Sequence, residues 1–176
     1  MRRVLKHRFF NRPTLAVARD LLGKFLVRRY RGGETAVMVC EVEAYDGSRD
    51  RASHASRGKT RRNEVMFGEA GRFYVYFTYG MHWMLNVVTG PKDYPAAVLI
   101  RGAVHNGKPI NGPARLTKLL KIDKRLNGLP ANKKTRLWFE NRGTKVKPSD
   151  VKAKKRVGVE YAGAWAKKPY NFYMEL

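Results

Sequence analysis

The chain has 176 residues, 43% of them hydrophobic, which suits one domain with a buried core, and 37 lysines and arginines against 14 acids give a formal charge of +23. That excess makes nucleic acid the leading partner, and no apolar run approaches the ~20 residues needed to cross a bilayer, so no membrane role is expected. The single Cys40 forbids an internal disulfide, and four dispersed histidines without CxxC or HxxxH spacing leave no zinc site.

The chain opens on a basic arm, MRRVLKHRFF, which lacks the apolar stretch of a secretory leader. The protein is therefore expected in the cytoplasm of a prokaryote or the nucleus of a eukaryote, not secreted. Asn11-Arg12-Pro13-Thr14 is a helix-start signal. Leu15, Val17, Ala18, Leu21 and Leu22 follow at helical spacing, and Gly23 is placed to end the helix. Lys24 to Tyr30 reads as a strand, and Arg31-Gly32-Gly33-Glu34 as a hairpin turn.

That turn leads into Ala36 to Tyr45, AVMVCEVEAY, a buried strand that acquires two carboxylates and an aromatic before it ends. Residues two apart share a face, so Glu41, Glu43 and Tyr45 point one way and Cys40, Val42 and Ala44 the other. A strand surfacing into water with solvated glutamates would read the same way. Asp46 to Glu64 has no apolar periodicity and carries Arg49, Arg51, Arg57, Lys59, Arg61 and Arg62, a long loop whose guanidiniums suit phosphate contacts. His54, a lone loop histidine, is by itself more often a local hydrogen-bonding residue than a catalyst.

Phe73, Val75 and Phe77 alternate with Tyr74, Tyr76 and Thr78, and Tyr79-Gly80 breaks the pattern before a second strand from His82 to Val88. The result is a hairpin with an aromatic at its tip, where Tyr79 suits a wedge between stacked bases. Asn86, polar on an apolar strand, needs a partner if buried. Ala96 to Arg101 is another buried strand, ending in a guanidinium that must face an anion if it stays inside. Asn111-Gly112-Pro113 starts a second helix with Leu116, Leu119 and Leu120 as its apolar stripe.

LNGLPANKKT then reads as a loop, LWFE as a short strand and NRGTKVKPSDVKAKKR as a lysine-rich surface stretch. RVGVEY and PYNFYMEL read as strands around a Gly-Ala-Trp turn. There is no repeat, phosphate-loop motif, GxGxxG or serine nucleophile elbow. The expected fold class is α+β: one domain over residues 1–176, with a curved, mainly antiparallel sheet, a protruding β-hairpin and a few flanking helices.

EVEAYDGSRDRASHASRG, RFYVYFTYGMHWMLN, AAVLIRG, NGPARLTKLL and VGVEYAGAWAKKPYNFY, in this order and spacing, resemble the alkyladenine (3-methyladenine, methylpurine) DNA glycosylase family over nearly the whole chain. The resemblance implies a monofunctional hydrolase that flips alkylated or deaminated purines out of duplex DNA and cuts the N-glycosidic bond in base excision repair. It further implies no metal, no organic cofactor and a monomer acting on double-stranded DNA. By the same resemblance, Glu43 matches the general base that activates water, while Arg101 and the backbone of Val157 match the groups that hold that water. Tyr45, His54 and Tyr76 match the walls of the base pocket and Asn86 its discriminating floor. Tyr79 matches the intercalating aromatic, flanked by Met81, with Arg62 among the DNA contacts. His82 stands where relatives often carry another aromatic. A non-catalytic RNA- or ribosome-binding protein would explain the lysines but not Glu43, Arg101 and Tyr79.

Overall fold

In the computed structural model, which describes residues 2–175, ten strands form one sheet in which every pairing is antiparallel. They are β1 (Arg3–Val4), β2 (Phe25–Tyr30), β3 (Gly33–Asp46), β4 (Phe73–Thr78), β5 (His82–Val88), β6 (Ala96–His105), β7 (Lys108–Asn111), β8 (Leu137–Asn141), β9 (Val151–Lys154) and β10 (Asn171–Met174). The main path runs β1-β8-β2-β3-β6-β5-β4, with β7 on β6 and the β9–β10 pair attached through β10 to the far end of β3. Helices are few and short: α1 (His7–Phe10), α2 (Thr14–Leu21) and α3 (Pro113–Leu119), with several 3-10 turns. The expected α+β architecture is present, including the hairpin, whose strands begin and end at the expected residues.

The alternation of β-branched and aromatic side chains explains where the core sits. Val37, Val39, Val42, Ile100, Val98, Val87, Leu85 and Phe73 turn to one side of the sheet, where Val17, Ala18 and Leu21 of α2 and Leu116 of α3 cover them. Each large side chain taken out of water there contributes about 1.5–3 kcal/mol. β3 and β6 are out of step around Glu41, with register shifts between Val39 and Glu41 and between Glu41 and Val42. The irregularity lies opposite Gly102, where a Cβ would come within 3.0 Å of the Glu41 Cβ. Glycine there lets two strands approach closely and turns Glu41 toward Arg101.

Several expectations need correction. The N-terminal segment is not a free arm: β1 pairs with β8, and Phe10 is buried against Phe139. The strand through AAVLIR does not end at Arg101 but runs on to His105 and turns back as β7, because Gly102, Ala103 and Val104 continue the pairing with β3. Leu119 is exposed, and Leu120 takes its place in the core, since the helix ends there and the chain turns. The loop over residues 46–64 is ordered by two 3-10 turns and the buried Asp50, Ser53, Ala55 and Asn63. RVGVEY is not a strand. It leads into a kinked 3-10 segment, Glu160–Lys167, and its arginine is buried. Within the lysine-rich stretch, Val151–Lys154 forms β9 on the outer side of β10.

Candidate active site

Glu43, Tyr45 and Glu41 share one face of β3, as their spacing requires, and the neighbouring strands decide what they meet. β6 brings Leu99 opposite Glu43, and β10 brings Asn171 opposite it from the other side. Glu43 is wholly buried. Its Oε1 accepts hydrogen bonds from the Val157 backbone N–H at 2.9 Å and Asn171 Nδ2 at 3.0 Å, and its Oε2 accepts from the Tyr45 hydroxyl at 2.9 Å. The surfacing-strand reading of this residue is therefore excluded by its burial and three donors.

Arg101 does face the acids, but closer to Glu41 (Nε–Oε1 3.3 Å) than to Glu43 (3.7 Å). Lys154 Nζ lies 3.2 Å from the same Glu41 oxygen, which also accepts from Asn171 Nδ2 at 2.9 Å. Glu41 is thus the partner that holds Arg101 beside Glu43, and Asn171 ties both carboxylates together. Since both of its contacts are carboxylate oxygens, its amide must point this way.

Glu43 lies in the wall of a cavity of about 340 Å³, which Tyr45, His54, Tyr74, Tyr76, Tyr79, Asn86, Arg101, Val157 and Tyr161 also line. His54 edges the open mouth. Its ring meets Tyr76 edge-on at 4.6 Å between centroids, and its Nδ1 lies 2.9 Å from the Tyr74 hydroxyl. Burial, and then the Glu43 charge, push the Tyr45 phenol well above its ordinary value, so it remains a donor. Burial also raises Tyr76, and brings Tyr74 up to about 12. Desolvation and the Arg62 charge lower His54, favouring a neutral imidazole. A Tyr74 hydroxyl that keeps its proton can donate to Nδ1, which places the ring proton on Nε2.

Asn86 is buried with one Nδ2 hydrogen donating to the Tyr74 carbonyl at 3.0 Å, which leaves its oxygen and its second N–H to meet anything in the cavity. Arg62, Met81 and His82 do not line the cavity. Arg62 is anchored on the hairpin, with Nη2 donating to the Phe77 carbonyl at 3.2 Å and its guanidinium over Tyr76. Tyr79 is 81% exposed and Met81 66%. Tyr79 takes a left-handed φ of 52°, which the following Gly80 shares at 66°, and this tight turn thrusts the ring out.

A buried ion pair that the sequence did not reveal assembles the site's far wall. Asp50 and Arg156 are both fully buried at the side chain and bond through two pairs of atoms, Arg156 Nη2 reaching Asp50 Oδ1 at 2.8 Å. Arg156 also donates to the carbonyls of Ala44 (2.8 Å) and Trp165 (3.3 Å), and its guanidinium lies over Tyr45. Asp50 in turn accepts from the backbones of Asp46 and Ala52. One salt bridge thus joins the end of β3, the His54 loop and the segment that delivers Val157. Asn171, Asp50 and Arg156 were missed. Asn171 carried the signal that marked Asn86, a polar residue in an apolar strand, whereas Arg156 stood hidden in a run of lysines.

Among the described residues no group of three or more His, Cys, Asp or Glu side chains could hold a metal ion, and no helix is long and apolar enough to cross a membrane. Residues 8–176 match the family model of methylpurine-DNA glycosylase (MPG). Proteins that carry the name "Putative 3-methyladenine DNA glycosylase" are similar along almost their whole length. The one from Methanocella arvoryzae is 45% identical over 186 residues, covering 97% of this chain and 92% of its own. That from Carboxydothermus hydrogenoformans is 41% identical over 189 residues, covering 98% and 95%. That from Streptomyces avermitilis is 41% identical over 191 residues, covering 97% and 87%. With its sheet, its cavity and these likenesses together, the chain belongs to the methylpurine-DNA glycosylase family.

Proposed function

We propose that this DNA glycosylase takes alkylated or deaminated purines out of duplex DNA, holds them in the aromatic cavity and hydrolyses the N-glycosidic bond as a monomer, within the single domain of residues 1–176. The observation that carries the reading is Glu43: a carboxylate with no exposure, held by three donors in the wall of a cavity whose other sides are tyrosines, a histidine and an asparagine. Enzymes that act on a base must first extrude it, and an aromatic slot is the form such pockets take. A purine nucleotide methylated at N3 or N7 carries positive charge, which the faces of neutral tyrosines favour.

In this reaction a water oxygen bonds to the sugar C1′ while the bond from C1′ to the base nitrogen breaks, and that electron pair leaves with the base. A purine methylated at N3 or N7 departs neutral, and an uncharged one such as hypoxanthine departs as its anion and then takes a proton from solvent. Glu43 takes the water proton, and the cation of Arg101, held by Glu41, lies 3.7 Å from it. The N–H of Val157 is committed to Glu43, so its carbonyl is the part of that residue free to orient the water. Tyr45 serves both as a wall of the pocket and as a hydrogen-bond donor to Glu43. Tyr79, exposed at the hairpin tip, fills the stack that the flipped nucleotide leaves, with Met81, His82 and Arg62 around it. The product is an abasic site without strand cleavage.

Incubating duplexes that hold a methylated purine, ethenoadenine or hypoxanthine, then treating with alkali, tests this directly. Glu43→Gln should keep lesion binding and lose about 10²–10⁴-fold in single-turnover release. The substitution is tolerated sterically, because the Tyr45 hydroxyl can rotate to accept from the new amide. Release near the native rate would remove Glu43 from this role, and no release from any lesion by the native protein would favour a binding-only protein.

A further inference from the structure

We infer that a second concavity, sharing a rim with the base cavity, is a binding site for one phosphodiester of the damaged strand, next to the extruded nucleotide. This inference rests on the glycosylase reading. Arg51, Ser53, His54, Ser56, Arg57 and Tyr161 line it, and Ser53, His54 and Tyr161 line the base cavity as well. Among the described residues neither Arg51 nor Arg57 has a carboxylate within 4.0 Å or a hydrogen-bond partner, whereas Arg12, Arg29, Arg72, Arg101, Arg125, Arg142 and Arg156 are all paired. No acid lines the concavity, and the Ser53 and Ser56 hydroxyls add neutral donors. Two unpaired forks with hydroxyls between them suit a singly charged, acceptor-only group such as a phosphodiester.

The arginines are held in place without being neutralised. The Asp50–Arg156 pair fixes the loop just before Arg51, the 3-10 turn His54–Arg57 carries Arg57 at its end, and Asn63 Nδ2 bonds the carbonyls of His54 and Gly58 on either side. Tyr161 is 70% exposed, yet its hydroxyl is tied to the Ala52 carbonyl at 3.2 Å, so its ring stands as a fixed partition between the two concavities. Because the rim is shared, a nucleotide held in the base cavity presents its own linkage to this site. The strand that bears the lesion is therefore the one contacted.

The test pairs protein variants with DNA in which single linkages around a hypoxanthine are made neutral as methylphosphonates, using a Glu43→Gln background so that the duplex is not consumed. Arg51→Ala/Arg57→Ala should weaken binding roughly tenfold or more and reduce the log–log salt slope by about 0.9 for the one phosphate. Neutralising one linkage beside the lesion, on its own strand, should erase that difference. Arg51→Lys/Arg57→Lys, which keeps the charge but not the fork, should fall between. Equal loss in the variant at every linkage, or coupling only to the opposite strand, would overturn the inference. Native protein that releases hypoxanthine without any such coupling would overturn it while leaving the glycosylase reading standing. Coupling without release would support the phosphate site and count against that reading.

Discussion

The two sides of the base cavity are built by opposite means. On the hairpin side, Tyr74 and Tyr76 of β4 face Asn86 and Met84 of β5 in a continuous ladder, and the strands are joined by a three-residue turn. On the other side, Val157 and Tyr161 belong to no strand and are held by the Asp50–Arg156 pair, whose members are 106 residues apart in the chain. A local ladder closes a short loop at small entropic cost, whereas the far wall depends for its position on a few long-range polar contacts, of which the Asp50–Arg156 pair is the most buried. The consequence is a site with one side that local pattern specifies and one side that long-range contacts centred on a buried charge pair specify.

Asp50→Ala should show the largest effect on stability. It strands the Arg156 guanidinium in the core, a loss of about 3–5 kcal/mol, readable as a drop in the denaturant midpoint. A loss under about 1 kcal/mol would mean that packing of the 3-10 segment, not the ion pair, holds the far wall.

Tyr79→Ala probes the opposite side. Since the ring is exposed, folding stability should move by no more than about 0.5 kcal/mol, while the flipped fraction of a fully paired ethenoadenine falls, because the vacated stack costs a few kcal/mol that the ring offsets. A bulged lesion, already partly unstacked, should suffer less. Unchanged ethenoadenine fluorescence would assign Tyr79 to something other than the stack.

Asn86→Ser sharpens the contrast within the hairpin. One N–H of the side chain is held by the Tyr74 carbonyl, so the rest of the amide and its bulk confront the purine edge, where guanine adds an amino group that hypoxanthine lacks. Relief of crowding should raise guanine excision relative to hypoxanthine by up to about 1–3 kcal/mol of discrimination. The ratio of the two single-turnover rates is the measurement, and a ratio that stays put would make Asn86 a structural amide only.

The smallest effect expected is a pH dependence at His54. Its folded-state value is lowered from 6.5, first by desolvation and then by Arg62, so the unfolded chain binds the proton more readily. The contribution of neutral His54 is therefore fully present above about 6.5 and lost as pH falls through the lower folded value. Comparing stability against pH for native protein and His54→Gln should show a steeper acid loss in the native form. The side chain is open to the cavity mouth, so solvent screening keeps the effect modest. Parallel profiles would mean that the histidine titrates alike in both states.

How much was legible follows the same division. Glu43 and Tyr45 could be placed together because a strand's period of two is a property of the backbone, and Tyr79 could be placed at a tip because glycine and the broken alternation mark a turn. Arg101 could be paired with an acid in outline, but the spacing favoured no particular partner. The register around Gly102, together with β10, assigned it chiefly to Glu41. Asn171 resembled any polar residue near a chain's end until β10 laid it opposite Glu43. Arg156 resembled its lysine neighbours, because charge in sequence says nothing about burial.

From the residues alone came the α+β class, the hairpin, the positive field that favours a polyanion, the shared face of Glu43 and Tyr45, and the family resemblance that the comparisons bear out. These rest on local periodicity, turn chemistry and summed charge, which need no knowledge of what packs where. Tertiary structure alone decided that Glu43 is sealed with three donors, that Glu41 shares Arg101 with it, and that Asp50 and Arg156 neutralise each other beneath the site. Each joins segments far apart in the chain, and the burial that gives them their strength exists only once the sheet has closed over them.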